Sequence, residues 1–252
     1  MRLDLSTWQE VEGYLVGSTG ILIPIGSHEQ HGPNGLIGTD AICPETVART
    51  FGERDGVMVG PTLGIGVAQH HLAFAGSISL RPTTLIAMIR DVVLSLVRHG
   101  FSRIYFLNGH GGNIATVQAA FAEIYGEASY SGRESPVSLR LGNWFAGRRV
   151  RELTRDLYGD TDGSHATASE VSLSYHAYPG SVKSVAMSPT VAPNGRFRDA
   201  ADYRRQFPDG RIGSDPSRSN PADGARLLDA AIDDLRASYR DLLAAPWVPD
   251  GA

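Results

Sequence analysis

The side chains best suited to chemistry lie in residues 26–33, which have the sequence GSHEQHGP. Glu29 and His31 are two residues apart, so in an extended conformation both project from the same side of the chain. The Gly-Pro pair that ends the segment can turn the chain so that Asp40 returns to them. An imidazole and two carboxylates that converge form a hard, oxygen-rich ligand set for a metal ion. The alternative is that Glu29 and His31 form a polar pair under a loop, because so short a pattern is common.

Two further clusters combine histidine with carboxylates or glycines. His110 follows an apolar run and is flanked by three glycines, which are costly after a strand unless they serve a turn or a site. The other cluster contains Asp162 and His165, and Glu170 follows the histidine after five residues. Together the three clusters favour a functional site over an isolated polar pair.

The apolar pattern predicts the elements that must position these side chains. Short apolar runs alternate with helical periodicity, which is typical of a sheet covered by helices on both faces. Strands are predicted at 20–27, 57–63, 103–108 and 137–144, and helices at about 41–53, 85–97, 167–176 and from 221 onward. The candidate side chains then lie beyond the carboxyl ends of the strands, where open α/β sheets bind ligands. The long segment 189–220 is predicted to be a functional flap or an oligomer contact.

The motifs resemble those of the creatininase family in order and spacing. The matching segments are GSHEQHGP at 26–33, TD at 39–40, NGHGGN at 108–113, DGSHA at 162–166 with the later Glu170, and two weaker ones at 71–77 and 210–216. The resemblance covers nearly the whole chain. It implies an α/β fold, a three-layer α/β/α sandwich with a mostly parallel central sheet, and we expect one domain over residues 1–252.

What the resemblance implies for the site is a binuclear centre with two divalent metal ions per chain, zinc, manganese or iron. Asp40 would bridge both ions. Glu29 and His110 would complete the protein ligands of one ion, and His31 and Glu170 those of the other. Three carboxylates oppose four positive charges, so one bridging hydroxide would neutralise the centre and attack the substrate.

Proton transfer to the leaving nitrogen needs a further group. His165 is the candidate general acid, because an imidazole exchanges protons near pH 7. Asp162 is predicted to orient His165, although it could instead cap a turn or a helix. His28 and His70 match no ligand position, and a surface or supporting role is expected for both.

We therefore expect an amidohydrolase that cleaves a non-peptide or small cyclic amide C–N bond. Gly111 and Gly112 stand where creatininase itself has a tyrosine and a metal-binding glutamate, which argues against creatinine as the substrate. The alternatives are a metal-dependent isomerase or lyase acting on a sugar or polyol, a peptidase acting on a small cofactor-precursor peptide, and a metal-binding scaffold without turnover.

Composition limits the partners and the compartment. The 23 Lys and Arg against 27 Asp and Glu give a net charge of −4, so no global positive field can hold a nucleic acid. The apolar runs fall far short of the roughly 20 residues that span a membrane. The single cysteine, Cys43, fits a reducing compartment. We expect a cytoplasmic enzyme with a small-molecule substrate, and the family resemblance suggests a homo-oligomer, with a hexamer as one option.

Overall fold

The computed structural model describes residues 1–245. The elements are α1 (Trp8–Gly17), β1 (Gly20–Ile25), α2 (Thr39–Asp55), β2 (Met58–Val59), α3 (Pro82–Arg98), β3 (Arg103–Asn108), α4 (Ile114–Tyr130), β4 (Ser138–Asn143), α5 (Arg148–Tyr158), α6 (Ala168–Ala177), α7 (Ala200–Gln206) and α8 (Pro221–Ala244). The prediction of one domain over residues 1–252 stays a prediction, and its residues 246–252 lie outside the described part. None of the described helices has the length and apolarity needed to cross a membrane.

The described strands form one parallel sheet in the order β2-β1-β3-β4. β1 and β3 pair along their full lengths, from Gly20 opposite Arg103 to Ile25 opposite Asn108. Their carboxyl ends therefore lie side by side at one edge. The loops that carry the predicted site residues after β1 and β3 leave the sheet at this edge.

Helices cover both faces of the sheet. The side chains of β1 alternate, so Ile21 and Ile23 join one buried cluster with α3 and α4, whereas Leu22 joins the other with α2, α6 and α8. All six residues of β1 are buried, as expected for a central parallel strand with helices on both faces. This three-layer arrangement confirms the predicted fold class.

Two helix starts follow from capping residues. The Asn220 side chain accepts a hydrogen bond from the Asp223 backbone N–H at 2.9 Å, and Pro221 occupies the first turn of α8, as the sequence predicts. At α6, Thr167 and Glu170 form a capping box in which each side chain accepts from the other's backbone N–H. The capping box holds Glu170 in the first turn of its helix.

The structure differs from the sequence-based expectation at β2 and at four helices. β2 is limited to Met58–Val59, and Leu63 contacts β1 only through an isolated bridge to Ile25. Pro24 of β1 explains the interruption, because it faces β2, where its carbonyl accepts from the N–H of Leu63, and proline has no N–H to donate to the ladder. The helices α1, α4, α5 and α7 had no predicted counterpart, and α7 lies in the segment 189–220. In α5 the apolar residues are few among charged ones, so its amphipathic pattern is short.

Candidate metal centre

The five predicted ligands come from four separate elements and meet at the carboxyl edge of the sheet. Glu29 and His31 follow β1, and His110 follows β3. Asp40 and Glu170 occupy the first turns of α2 and α6. Except for Glu170, which is partly exposed, all of them are buried.

Asp40 presents its two oxygens to two different histidines. Oδ1 lies 3.1 Å from Nε2 of His31, and Oδ2 lies 2.9 Å from Nδ1 of His110. On the His31 side, Nε2 is also 3.8 Å from Oε1 of Glu170, and on the other side Nε2 of His110 is 3.3 Å from Oε2 of Glu29. Asp40 therefore lies between His31 and Glu170 on one side and His110 and Glu29 on the other.

Backbone carbonyls determine which ring nitrogen of each histidine faces Asp40 with a lone pair. Nδ1 of His31 lies 3.0 Å from the carbonyl oxygen of Glu29, and Nε2 of His110 lies 3.0 Å from that of Val67. A carbonyl only accepts, so these nitrogens donate, and in the neutral rings the opposite nitrogens hold lone pairs. Those lone pairs point at the oxygens of Asp40, which is favourable only with a proton or a cation between them.

Two carboxylate oxygens without hydrogen bonds also indicate a place for positive charge. Among residues 1–245, Oε1 of Glu29 and Oδ2 of Asp40 are buried and accept no aligned hydrogen bond. Leaving a buried charged acceptor unpaired costs several kcal/mol, which a bound cation would offset. The cluster therefore fits divalent cations, and its mix of imidazole and carboxylate suits zinc, manganese or iron.

The pKa values reflect how strongly the site attracts positive charge. Burial alone would raise the pKa of Asp40, but the imidazoles of His31 and His110 outweigh it and lower that pKa. Burial opposes a charged imidazole at His31, yet Asp40 and Glu170 raise its pKa to about 10. Burial raises the pKa of Glu170 to about 7. Protons and metal ions therefore compete for the same lone pairs.

His165 lies beside this cluster with one lone pair directed toward it. Its Nε2 is 2.8 Å from the backbone oxygen of Gln30 and must donate, while its Nδ1 is 3.7 Å from Oε1 of Glu29. Burial, together with the nearby imidazoles of His31 and His71, lowers the pKa of His165 well below its usual value. His165 is therefore neutral near pH 7 and offers an acceptor to the site.

Asp162 has other partners than the predicted one. Its Oδ1 and Oδ2 accept hydrogen bonds at 2.9 Å from the backbone N–H and the hydroxyl of Ser169. Among the described hydrogen bonds, the ring of His165 bonds to Gln30 and not to Asp162. Asp162 therefore supports the start of α6, which is the capping alternative. No sequence pattern indicates that Gln30 is the hydrogen-bond partner of His165.

Two adjacent histidines near the site had no ligand role in the sequence analysis. His70 can join Glu29 and His110 in a group able to hold a metal ion. His71 is buried, and its Nε2 lies 3.1 Å from Oε1 of Glu29. Their only sequence signals are the His-His pair itself and, for His71, its position in the weaker family segment. His28 is held by the carbonyl of Gly64 at 2.6 Å, which is a supporting role.

A cavity of about 800 Å³ opens onto the cluster. Trp144 and Phe145 supply aromatic surface, Arg151 and Arg155 lie on the face of α5 that lines it, and Phe197 belongs to the long segment 189–220. That segment therefore forms part of the wall, as the flap interpretation requires. Added side chains at Gly111 would meet nothing within 4 Å, so the cavity is open there.

Comparisons with known proteins identify the family and the fold. A family model described as creatinine amidohydrolase matches residues 4–239. Creatinine amidohydrolase of Pseudomonas putida is 28% identical over 182 residues, covering 69% of this chain and 70% of that protein. The mycofactocin precursor peptide peptidase of Mycobacterium tuberculosis is 28% identical over 255 residues, covering 92% and 87%. A solved creatininase in its Mn form superposes with a TM-score of 0.82 at 24% identity, covering 96% and 98% of the two chains.

Proposed function

The chain belongs to the creatininase family of hydrolases, and from this premise we propose that it is a binuclear-metal-dependent amidohydrolase. Its substrate in this proposal carries a non-peptide or small cyclic amide, and the ions are zinc, manganese or iron. The observation that carries the proposal is the position of Asp40. Its two oxygens face ring nitrogens of His31 and His110 at 3.1 and 2.9 Å, an arrangement that needs a proton or a cation on each side, and two divalent cations would fill both places.

The two clusters support a ligand assignment. Asp40 would contribute to both ions, Glu29 and His110 would hold one of them, and His31 and Glu170 would hold the other. Bound divalent ions would supply a nucleophile from water near neutral pH and stabilise the oxyanion that develops on the substrate carbonyl. The buried, water-poor position of Glu29 and Asp40 strengthens both effects, because charges interact more strongly in a low dielectric.

His165 performs the proton transfers in this proposal. Because its Nδ1 holds a lone pair on the site side, it first accepts a proton from the attacking water. The resulting imidazolium then donates that proton to the leaving nitrogen, which gives the acid role expected from the sequence. Asp162 contributes indirectly, by fixing the turn of α6 that holds Glu170.

The space beside the cluster bears on the size of the substrate. The bare backbone at Gly111 and the volume of about 800 Å³ leave room for a molecule larger than a single small ring. This room and the peptidase relative that covers 92% of the chain favour a second candidate, cleavage of a short cofactor-precursor peptide. The same centre would serve, since both reactions add water to an amide carbonyl.

The test is hydrolysis by the metal-loaded protein of a panel of linear amides, cyclic amides, formamides and short peptides. Release of ammonia, formate or a new amine is expected from wild type, and His165→Ala should lower kcat by about 10²–10⁴-fold. Deuterium entering a recovered sugar without amine release would instead support the isomerase alternative. If the protein binds metal tightly but neither hydrolyses the amides nor exchanges hydrogen in a sugar in a way that depends on His165, the metal-binding scaffold without turnover would be supported.

We also infer a cytoplasmic homo-oligomer. The free, buried Cys43 supports a reducing compartment. Light scattering of the purified protein tests the assembly, and a monomer at micromolar concentration would contradict it.

A further inference from the structure

Four histidines surround Glu29 and Asp40, and one of them faces the site differently. His31, His110 and His165 each donate to a backbone carbonyl and therefore turn a lone pair inward. His71 has no such carbonyl partner in the described structure; its Nδ1 contacts the side-chain amide of Gln30 instead. We infer that Gln30 is a positioning residue that makes His71 present an N–H, and not a lone pair, to Glu29.

The orientation of the Gln30 amide is set by two backbone groups. Its Oε1 accepts from the N–H of Gly32 at 2.8 Å, and its Nε2 donates to the carbonyl oxygen of Gly210 at 2.8 Å. A backbone N–H cannot accept and a carbonyl cannot donate, so the amide cannot be flipped without losing both bonds. One N–H of the amide is used at Gly210, and one remains.

The remaining amide hydrogen belongs to His71. Nε2 of Gln30 lies 3.0 Å from Nδ1 of His71 and 2.9 Å from Nε2 of His165. The His165 nitrogen already carries a hydrogen, which it gives to the backbone oxygen of Gln30, so it cannot accept. Nδ1 of His71 is thus the acceptor, and the hydrogen of the neutral ring sits on Nε2, 3.1 Å from Oε1 of Glu29.

The surroundings hold Gln30 in this position. A Cβ at Gly210 would collide with the Gln30 amide, so the backbone of the segment 189–220 packs directly against that side chain. Tyr203, which is fully buried, also donates to the carbonyl of Gly210 at 2.8 Å. The amide therefore has little freedom to release His71.

The consequence is a division of roles among otherwise similar rings. With hydrogen on Nε2, His71 cannot bind a metal ion from the position nearest Glu29, and it places an N–H 3.1 Å from Oε1 of that carboxylate instead. This step rests on the proposed function, because it assumes that Glu29 binds a metal. The assignment of the His71 tautomer is independent of that function, and it can be measured without any metal present.

The experiment is ¹⁵N NMR of protein labelled at histidine, with signals assigned by single histidine variants. In the wild-type protein, His71 should show a pyrrole-like Nε2 and a pyridine-like Nδ1. In Gln30→Glu the side chain has no amide hydrogen to donate to Nδ1 of His71. This holds also when the new carboxyl is protonated, because its hydrogen is then directed to the carbonyl of Gly210. The hydrogen of His71 should therefore move to Nδ1, and the two ¹⁵N signals should exchange their character. The matched control is Gln69→Glu, the same change at an exposed position next to the histidine pair, which should leave the wild-type pattern.

Activity gives the second measurement. Gln30→Glu should lower kcat by about 10–100-fold, the usual effect of changing a group that orients a ligand, with KM changed much less. A wild-type His71 that carries its hydrogen on Nδ1 would overturn the inference without any variant. If Gln30→Glu reverses the tautomer of His71 but keeps full activity, the catalytic consequence is overturned. If wild type shows the expected tautomer but hydrolyses no amide, the result counts against the proposed function alone.

Discussion

Replacing Asp40 by asparagine should remove both metal ions at once. The substitution keeps the size of the side chain but removes one charge and leaves one acceptor oxygen where two histidine lone pairs converge. Each of the two clusters loses the group that it shares with the other. Glu170→Gln, by contrast, touches only the His31 cluster.

The magnitude follows from the burial and the distances. Asp40 is 3% exposed, and its oxygens lie 2.9 and 3.1 Å from the two imidazoles. Removing one partner of a buried charge pair costs about 3–5 kcal/mol, because the remaining charge stays uncompensated. At 1.4 kcal/mol per tenfold, affinity should fall by about a hundred-fold to several thousand-fold.

The assay is elemental analysis after dialysis, with zinc or manganese supplied at expression. Wild type should retain about two equivalents per chain, Glu170→Gln about one, and Asp40→Asn clearly less than one. Asp55→Asn is the matched control, since it makes the same change at the other end of α2, where Asp55 pairs with Arg236 at 2.7 Å. Two equivalents retained by Asp40→Asn would refute the bridging role, and equal loss in both site variants would refute the division into two clusters.

Three further outcomes are expected. Removing the ions with a chelator should lower Tm by about 5–10 °C and re-adding them should restore it, since a ligand at 100 times its Kd contributes about 2.7 kcal/mol; an unchanged Tm would show that the site holds no ion. Arg155 pairs with no carboxylate among residues 1–245, so Arg155→Gln should raise KM up to about five-fold for an anionic amide only, whereas Arg148→Gln, whose arginine already pairs with Glu152, should have no effect on either substrate. Asp162→Asn should lower the free energy of unfolding by about 1 kcal/mol in a urea titration while the pH profile of activity keeps its shape; a shifted profile would restore the predicted link to His165.

Sequence alone predicted the parts of the site that depend on local pattern. The strand 103–108 has the predicted bounds, because its apolar run ends sharply at the glycines that follow. The positions of Glu29, His31 and His110 follow from those strand ends, since parallel strands deliver their loops to one edge. The helix predicted at 167–176 is also present, as α6 at Ala168–Ala177.

The parts that depend on distant contacts could not be predicted. Gln30 acts through Gly210, which is 180 residues away, and no local pattern relates the two. Asp162 had two acceptable partners in sequence, and only the packing of α6 selects Ser169. β2 ends early because Pro24 of the neighbouring strand has no N–H to donate to it, although the apolar run of β2 continues to Leu63.

The glycines that end β1 and β3 limit how this enzyme can change. A side chain on either Gly26 or Gly109 would strike the same carbonyl, that of Asp40, so two neighbouring strands and the start of α2 are pressed together without spare room. The spacing between the loops that carry Glu29 and His110 is thus determined by the scaffold and cannot be adjusted one residue at a time. Substitutions that change the substrate are therefore expected at the looser parts of the wall, at Gly111 and on α5, and not beside Asp40.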